Sequence, residues 1–298
     1  MVRTARTRAW HHRAVTDQAE RYDRIAEGYA RWWAPFLVPA AMDLLGRLEP
    51  GLPDGPIRIL DVGTGTGTLG LAAVERWPNV TVDAIDASSE MAAAAEAERD
   101  RRLGSIARGR FVVKVAPAED LPYVDATFDA AMSSFVLQLV PNRHRALREI
   151  RRTLRPGAPL AIVTWLRDTT MWRADEIVDE VLDEFGIEPP PDDDDDADSA
   201  DGGADAGDPA TVKALVGELR RAGFRAVDGE AATLEIGFDA DGYIGFLTEF
   251  DDPTMFDSLE PADRDRALAT LRERLGALDR DDLTMSAPIV YAIGRRSG

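Results

Sequence analysis

No cysteine occurs among the 298 residues of this chain, which excludes disulfide cross-links, thiolate metal sites and cysteine nucleophiles. Histidine is almost as scarce, with His11 and His12 near the start and His144 the only other. Lysine occurs twice, at Lys114 and Lys213, and the net charge is −19. A chain this acidic is a poor match for a phosphate backbone, so no nucleic-acid partner is expected. Also missing is any apolar run long enough to span a membrane. The opening MVRTARTRAWHHRAV carries four arginines but lacks the apolar stretch of a secretory signal. The expectation is a flexible basic tail (1–15) on a cytoplasmic protein, and no feature of the sequence specifies an oligomer.

Much of the negative charge is local. Residues 188–208, EPPPDDDDDADSADGGADAGD, hold ten acidic side chains and no basic one; without those ten, −19 becomes −9. Such a segment buries too little apolar surface to order itself, which predicts a disordered acidic loop. Calcium is not expected there. Counted from Asp192 or from Asp196, neither the glycine at position six nor the glutamate at position twelve of an EF-hand loop is present. No metal site is predicted anywhere.

What is present is alternation. Apolar runs IRILDV (57–62), VTVDAID (80–86), RFVVKV (110–115), FDAAMSS (128–134) and PLAIVTW (159–165) read as strands. Helical patterns lie between them near 68–77, 88–102 and 142–154, the rhythm of βαβ units around a parallel sheet. Upstream, 16–49 reads as two helices. Tyr22, Ile25, Ala26, Tyr29, Trp32 and Trp33 form an apolar stripe in the first, and Pro35 breaks it or opens the next. Downstream the pattern predicts helices at 172–186 and 209–222, a hairpin at 224–238, helical stretches at 240–250 and 260–278, and a closing strand at 283–296. The domain layout is then a helical cap (16–50), a core (51–187), the acidic loop (188–208) and the rest of the core (209–298).

The run ILDVGTGTGTLG (59–70) holds two overlapping glycine patterns. From Gly65 it fits G-x-G-x-x-G, the dinucleotide fingerprint; from Asp61 it reads Asp61-x-Gly63-x-Gly65-x-Gly67, the pattern of S-adenosylmethionine loops. Both use glycines for close backbone approach and helix-start amides for an anion. Asp86, about twenty residues on, suits ribose hydroxyls in either case. Position separates them. In the dinucleotide pattern the first glycine follows the strand directly, and here that glycine is Gly63, from which the spacing is G-x-G-x-G.

The blocks YDRIAEGYARWWAP, ILDVGTGTG, VDAIDAS, AEDLPYVDATFDAAMSSFVLQLV, LRPGAPLAIVTW and VYAIGRR, taken in order, resemble the class I S-adenosylmethionine-dependent methyltransferases. Within them they are similar to the small-molecule branch that includes the ubiquinone/menaquinone-biosynthesis C-methyltransferases. The resemblance covers residues 20–166 well and the last third loosely. It implies a doubly wound, Rossmann-like α/β fold whose seven-stranded sheet has order 3-2-1-4-5-7-6 with the last strand antiparallel. An N-terminal helical cap and inserted lid helices (about 239–279) would complete it. It also implies roles. Gly63, Gly65 and Gly67 would line the methionine part of S-adenosylmethionine, with Asp61 supporting the loop. Asp86, followed by Ala87, would take the ribose hydroxyls, and Met91 would pack on the adenine. Ala118 and Glu119 would sit at the adenine edge, and Ser133 beneath the methionine. One position departs: where the family usually has Asp before the Ala-Glu pair, this chain has Pro117, leaving the adenine amino group to Glu119 or the Ala118 amide.

The acceptor is expected to be a small organic molecule, apolar or planar, methylated at oxygen or carbon. Tyr22, Tyr29, Trp33, Trp165 and Phe246 are candidates for its walls. An Asn-Pro-Pro-Tyr motif, which some amine-methylating enzymes carry after the fourth strand, is replaced by Ser133-Ser134-Phe135-Val136, which argues against a nucleobase or glutamine. His144, Glu249 and Asp251 are weak candidates for a general base. Two other readings remain open at this point: an NAD-dependent oxidoreductase, disfavoured because Tyr123 is followed by Thr127 rather than a Tyr-x-x-x-Lys lysine, and a binding or regulatory protein that keeps the fold without turnover.

Overall fold

The computed structural model describes residues 18–168, 170–187 and 207–298. The basic tail and nearly all of the acidic segment lie outside the described residues. The end of that segment is inside them, and there the sequence reading ran two residues too far. Gly207 and Asp208 are buried, and Arg143 Nη1 donates to the Gly207 carbonyl at 2.5 Å.

Five parallel strands form the centre: β1 (Ile57–Val62), β2 (Val80–Asp86), β3 (Phe111–Val115), β4 (Ala130–Ser134) and β5 (Pro159–Trp165). With β6 (Phe224–Gly237) and β7 (Thr284–Arg296) they make one seven-stranded sheet of order β3-β2-β1-β4-β5-β7-β6. β7 runs antiparallel to both of its neighbours. Strand parity divides the apolar residues between two faces. Ile59, Val82, Met132 and Ala161 point into a core with helices α2 (Ala34–Leu48), α3 (Thr68–Arg76), α7 (Arg173–Glu184), α9 (Ala240–Phe246) and α10 (Pro261–Gly276). Leu60, Ile85, Ala131 and Ile162 point the other way, against α6 (Arg143–Thr153) and α8 (Val212–Arg221). Among the described residues no helix is long and apolar enough to cross a membrane.

Two elements differ from the sequence reading. The helix α1 (Gln18–Gly28) passes into α2 through a π-helical turn at Tyr29–Trp33. The wider turn rotates the stripe, so Trp33 is buried while Trp32 is only partly covered. Pro35 sits in the first turn of α2, where its missing N–H has no helical partner to lose.

The expected hairpin at 224–238 is instead a single long strand. Asp228 and Gly229 resemble a turn, but they pair in the ladder with Ile293 and Ala292. The irregularity lies just before them, a bulge between Arg225 and Asp228 with Ala226 at φ 48°. β7 offers a full-length partner, and a hairpin would leave its outer edge unpaired. Gly229 serves packing, since a Cβ there would lie 2.8 Å from Val216 and 2.9 Å from Val212.

Candidate functional site

The carboxyl ends of β1, β2 and β4 border a cavity of about 470 Å³, where doubly wound sheets bind ligands. β1 ends at Val62 and the chain turns at once. Gly63, Gly65 and Gly67 all have positive φ (69°, 54° and 85°), and Gly67 is the N-cap of α3. A Cβ on Gly63 would lie 2.3 Å from Val136, so this turn packs as closely as glycine allows. Gly63 and Gly65 line the cavity. Gly67 turns toward Leu71 and Ala95 and serves the start of α3 instead.

Asp61 is buried under the loop. Its Oδ2 accepts from Thr64 Oγ1 at 2.7 Å, and the Gly70 amide also donates to it. Loss of water outweighs these bonds and pushes its carboxyl up to about 7. Asp86, at the end of β2, accepts from the Gly65 amide at 2.8 Å and from the Ser88 amide at 3.0 Å. It therefore ties the glycine loop to the start of α4 (Ser89–Arg102). Burial raises its carboxyl as well, opposed by those amides.

The far wall comes from Met91 on α4 and from Ala116, Pro117, Ala118 and Glu119 after β3, an apolar slot edged by one carboxylate. α1 closes the top through Tyr22 and Tyr29. It is anchored by Asp23, whose Oδ1 accepts from Ser88 Oγ at 2.5 Å and from the Glu90 amide at 3.1 Å. Burial raises the phenol of Tyr22, Arg21 partly opposing, and raises that of Tyr29 beyond its ordinary range, so both stay neutral donors. Three carboxylates line this cavity, Asp61, Asp86 and Glu119, and among its lining residues there is no Arg or Lys.

A smaller chamber of about 20 Å³ adjoins it, sharing Tyr22, Tyr29 and Phe135. Trp33, Trp165, Phe246 and Phe250 surround it. The Trp33 ring centroid lies 5.2 Å from that of Phe246, 5.8 Å from that of Trp165, and 5.9 Å from that of Phe250, on which it stacks.

Ten of the residues singled out from sequence thus meet at the large cavity: Asp61, Gly63, Gly65, Asp86, Ala87, Met91, Ala118 and Glu119, with Tyr22 and Tyr29. Trp33, Trp165 and Phe246 meet at the small one. Ser133 does not reach either. It is fully buried, its Oγ donating to the Val62 carbonyl at 2.9 Å, and Ser134, one step on, is the serine that faces the cavity. The general-base candidates also fall outside. His144 lies on α6, away from both spaces, and Asp251 lines neither. Glu249 is exposed, accepting from Trp32 Nε1 at 2.6 Å and Arg31 Nη1 at 3.0 Å. Among the described residues no cluster of acidic or histidine side chains forms a metal site.

Sequence reasoning passed over Asp23 and Gln138, and it named Ser134 and Val136 only as standing in place of an Asn-Pro-Pro-Tyr motif, not as cavity walls. Gln138 had left a signal, as the one amide inside the apolar run FVLQLV.

Residues 59–157 match a family model described as a methyltransferase domain. A ubiquinone/menaquinone biosynthesis C-methyltransferase of Geobacter sp. (strain M21) is 34% identical over 156 residues, 51% of this chain and 61% of its own length. A malonyl-[acyl-carrier protein] O-methyltransferase of Geobacter sulfurreducens is 37% identical over 99 residues, 33% of this chain and 35% of its own length. The chain thus spans less than two thirds of these curated relatives. Among solved structures, the [4+2]-cyclase SpnF superposes with a TM-score of 0.56 at 20% identity, covering 94% of this chain and 95% of that one. In sequence over this stretch, and in fold over nearly its whole length, the chain resembles the class I methyltransferases.

Proposed function

We propose that this chain, built on a class I methyltransferase core, is an S-adenosylmethionine-dependent methyltransferase acting at oxygen or carbon of a small planar organic molecule. The observation that carries the reading is the charge of the cavity. A glycine turn and Asp86 face a space lined by three acidic side chains, Asp61 among them partly protonated near neutral pH, and by no Arg or Lys, a poor match for a pyrophosphate and a better one for a cationic, hydroxyl-bearing ligand. Its size falls within the 300–1,000 Å³ or so of small-molecule sites. This weighs against a dinucleotide.

In this reading the glycine turn at Gly63 and Gly65 lies against the amino-acid end of the ligand, and Asp86, held by the Gly65 amide, receives the ribose hydroxyls. Met91 and Ala118 sandwich the base, and Glu119 meets its edge where Pro117 offers no donor. S-adenosylmethionine supplies a methyl on a positive sulfur: the acceptor's electron pair forms the new bond to that carbon, the carbon–sulfur bond breaks with its pair left on sulfur, and S-adenosylhomocysteine leaves. The protein's share is to orient the acceptor and exclude water, worth several kcal/mol in such reactions. The aromatic walls perform both tasks. With no carboxylate or histidine lining the aromatic chamber, an acceptor that must lose a proton gives it to solvent before the walls close over it. A cytoplasmic setting and a small-molecule partner belong to the same reading, as does a lid role for residues 239–279.

Labelled-methyl transfer from S-adenosylmethionine into a metabolite extract, followed by mass spectrometry, tests it. A labelled small molecule is expected. S-adenosylmethionine binding without any labelled product would favour a binding protein on the same fold, and binding of NAD alone would end the proposal.

A further inference from the structure

The aromatic chamber is bordered by two polar side chains, Gln138 and Arg21, that retain hydrogen-bond donors beyond those they use within the protein. Gln138 follows β4 in a short 3-10 turn (Leu137–Leu139) and is only 4% exposed. Its Oε1 accepts from Thr164 Oγ1 at 2.7 Å. Its Nε2 has no hydrogen-bond partner among the described residues. The amide is planar, so committing the oxygen to Thr164 leaves the two N–H donors for the chamber that Gln138 lines. Those donors are available to an acceptor atom of a ligand entering the chamber.

The second group is Arg21 of α1, at the edge of the same chamber. Its guanidinium carbon lies 5.6 Å from the Tyr22 ring centroid, and among the described residues it pairs with no carboxylate. The two adjoining spaces are therefore opposite in character. The large cavity has three carboxylates and no cation, whereas the chamber has a guanidinium, an amide donor and no carboxylate among its lining residues.

We propose that Arg21 and Gln138 form a carboxylate-binding pair that selects a planar aromatic acid as the molecule entering the chamber. The proposal rests on the methyltransferase reading of the adjoining cavity. The ring would lie among Trp33, Trp165, Phe246 and Phe250, and the carboxylate would accept from the guanidinium and the amide at once. Such a pair also sorts ligands. A neutral amide in the carboxylate's place brings its own donors against Arg21 and Gln138 and leaves buried groups unpaired. The chamber's free volume of about 20 Å³ is smaller than a ring, so a ring enters only as its walls part.

The experiment uses the full chain saturated with S-adenosylhomocysteine, titrated with 3-hydroxybenzoate and with its neutral counterpart 3-hydroxybenzamide. Tryptophan fluorescence reports binding, since Trp33 and Trp165 line the chamber. The acid is expected to bind at least about tenfold more tightly, a difference of about 1.4 kcal/mol. Arg21→Met should erase that preference and Arg21→Lys restore part of it. Gln138→Leu should weaken the acid at least about fivefold. S-adenosylhomocysteine affinity, measured by calorimetry, should be unchanged in all three variants, which also shows that they fold. Equal binding of the two probes, binding of neither, or a preference that survives Arg21→Met would overturn the proposal while the cofactor reading stands. Failure of the wild-type chain to bind S-adenosylhomocysteine would instead overturn the methyltransferase reading on which it rests.

Discussion

Asp61 and Asp86 stand at the ends of adjacent strands, yet they face different consequences of burial. Asp61 is almost fully buried, and loss of solvation pushes its carboxyl up to about 7 from an ordinary 3.8. In the unfolded chain it releases its proton near that ordinary value. Between pH 4 and pH 7 the folded form therefore binds a proton that the unfolded form has lost. The resulting stability is fully present below about pH 4 and is lost as pH rises through 7. Asp61→Asn has no proton to lose. Its stability relative to wild type should improve by on the order of 2–4 kcal/mol from pH 4 to pH 8, read from urea unfolding of ligand-free protein. A pH-independent difference would show that Asp61 titrates normally. Asp86 acts on ligand instead. Asp86→Ala should weaken S-adenosylmethionine by at least about tenfold in calorimetry, from charge-assisted hydrogen bonds lost. An unchanged dissociation constant would remove the ribose from this carboxylate. Both aspartates were legible because strand, turn and acidic residue lie within one local βαβ unit. The choice between Ser133 and Ser134 was not, because it depends on the phase with which β4 enters the sheet, which its neighbours set. Gln138 and Arg21 were unreadable as a pair, since their meeting depends on α1 crossing the sheet edge.

Among elements, the contact between α1 and the π-helical turn at Leu247–Asp251 governs the aromatic chamber. The two backbones meet at Gly28, where a Cβ would lie 2.0 Å from the Glu249 carbonyl oxygen. Backbone has no rotamer to yield. Gly28→Ala must therefore push α1 away, at a cost of about 1–3 kcal/mol. Hydrogen exchange should quicken across α1 while β1 and β2 keep their protection; unchanged α1 exchange would show the contact to be slack. Trp32 reinforces this seam by stacking over Gly245, whose Cβ would lie 2.4 Å from the indole. Here the sequence was only partly readable. The aromatic stripe was visible as a helix, but the π turn that rotates Trp33 inward and Trp32 toward Glu249 follows from packing between segments more than two hundred residues apart. The bulged β6 was misread for a related reason: Asp-Gly is a turn signal only until a long partner strand and a helix needing a glycine beneath it overrule the local preference.

At the scale of the molecule, the order of the sheet was carried by alternating strands and helices together with the resemblance, while the chemistry is not fixed by that order. A superposing neighbour is described as a cyclase, so fold and activity are separable here. What distinguishes one ligand from another is an assembled property. The large cavity takes walls from the β1 turn, the end of β2, α4, the segment after β3 and α1, and no unfolded or partly folded chain brings these together. A ligand of that cavity therefore binds only the native state and must raise its stability. At one hundred times its dissociation constant, S-adenosylmethionine should add about 2.7 kcal/mol, which for a chain of this size corresponds to a melting-temperature rise of roughly 5 °C. NAD at the same concentration should give no rise, because its pyrophosphate would meet Asp61, Asp86 and Glu119 with no lining cation to offset them. The shift should fall to about half in Asp86→Ala at equal ligand concentration, since binding about tenfold weaker leaves about 1.4 kcal/mol, and persist in Arg21→Met, whose side chain is not part of this cavity's lining. A rise with NAD, or an undiminished one in Asp86→Ala, would mean that the cavity between the glycine turn and the second strand holds something other than a sulfonium donor.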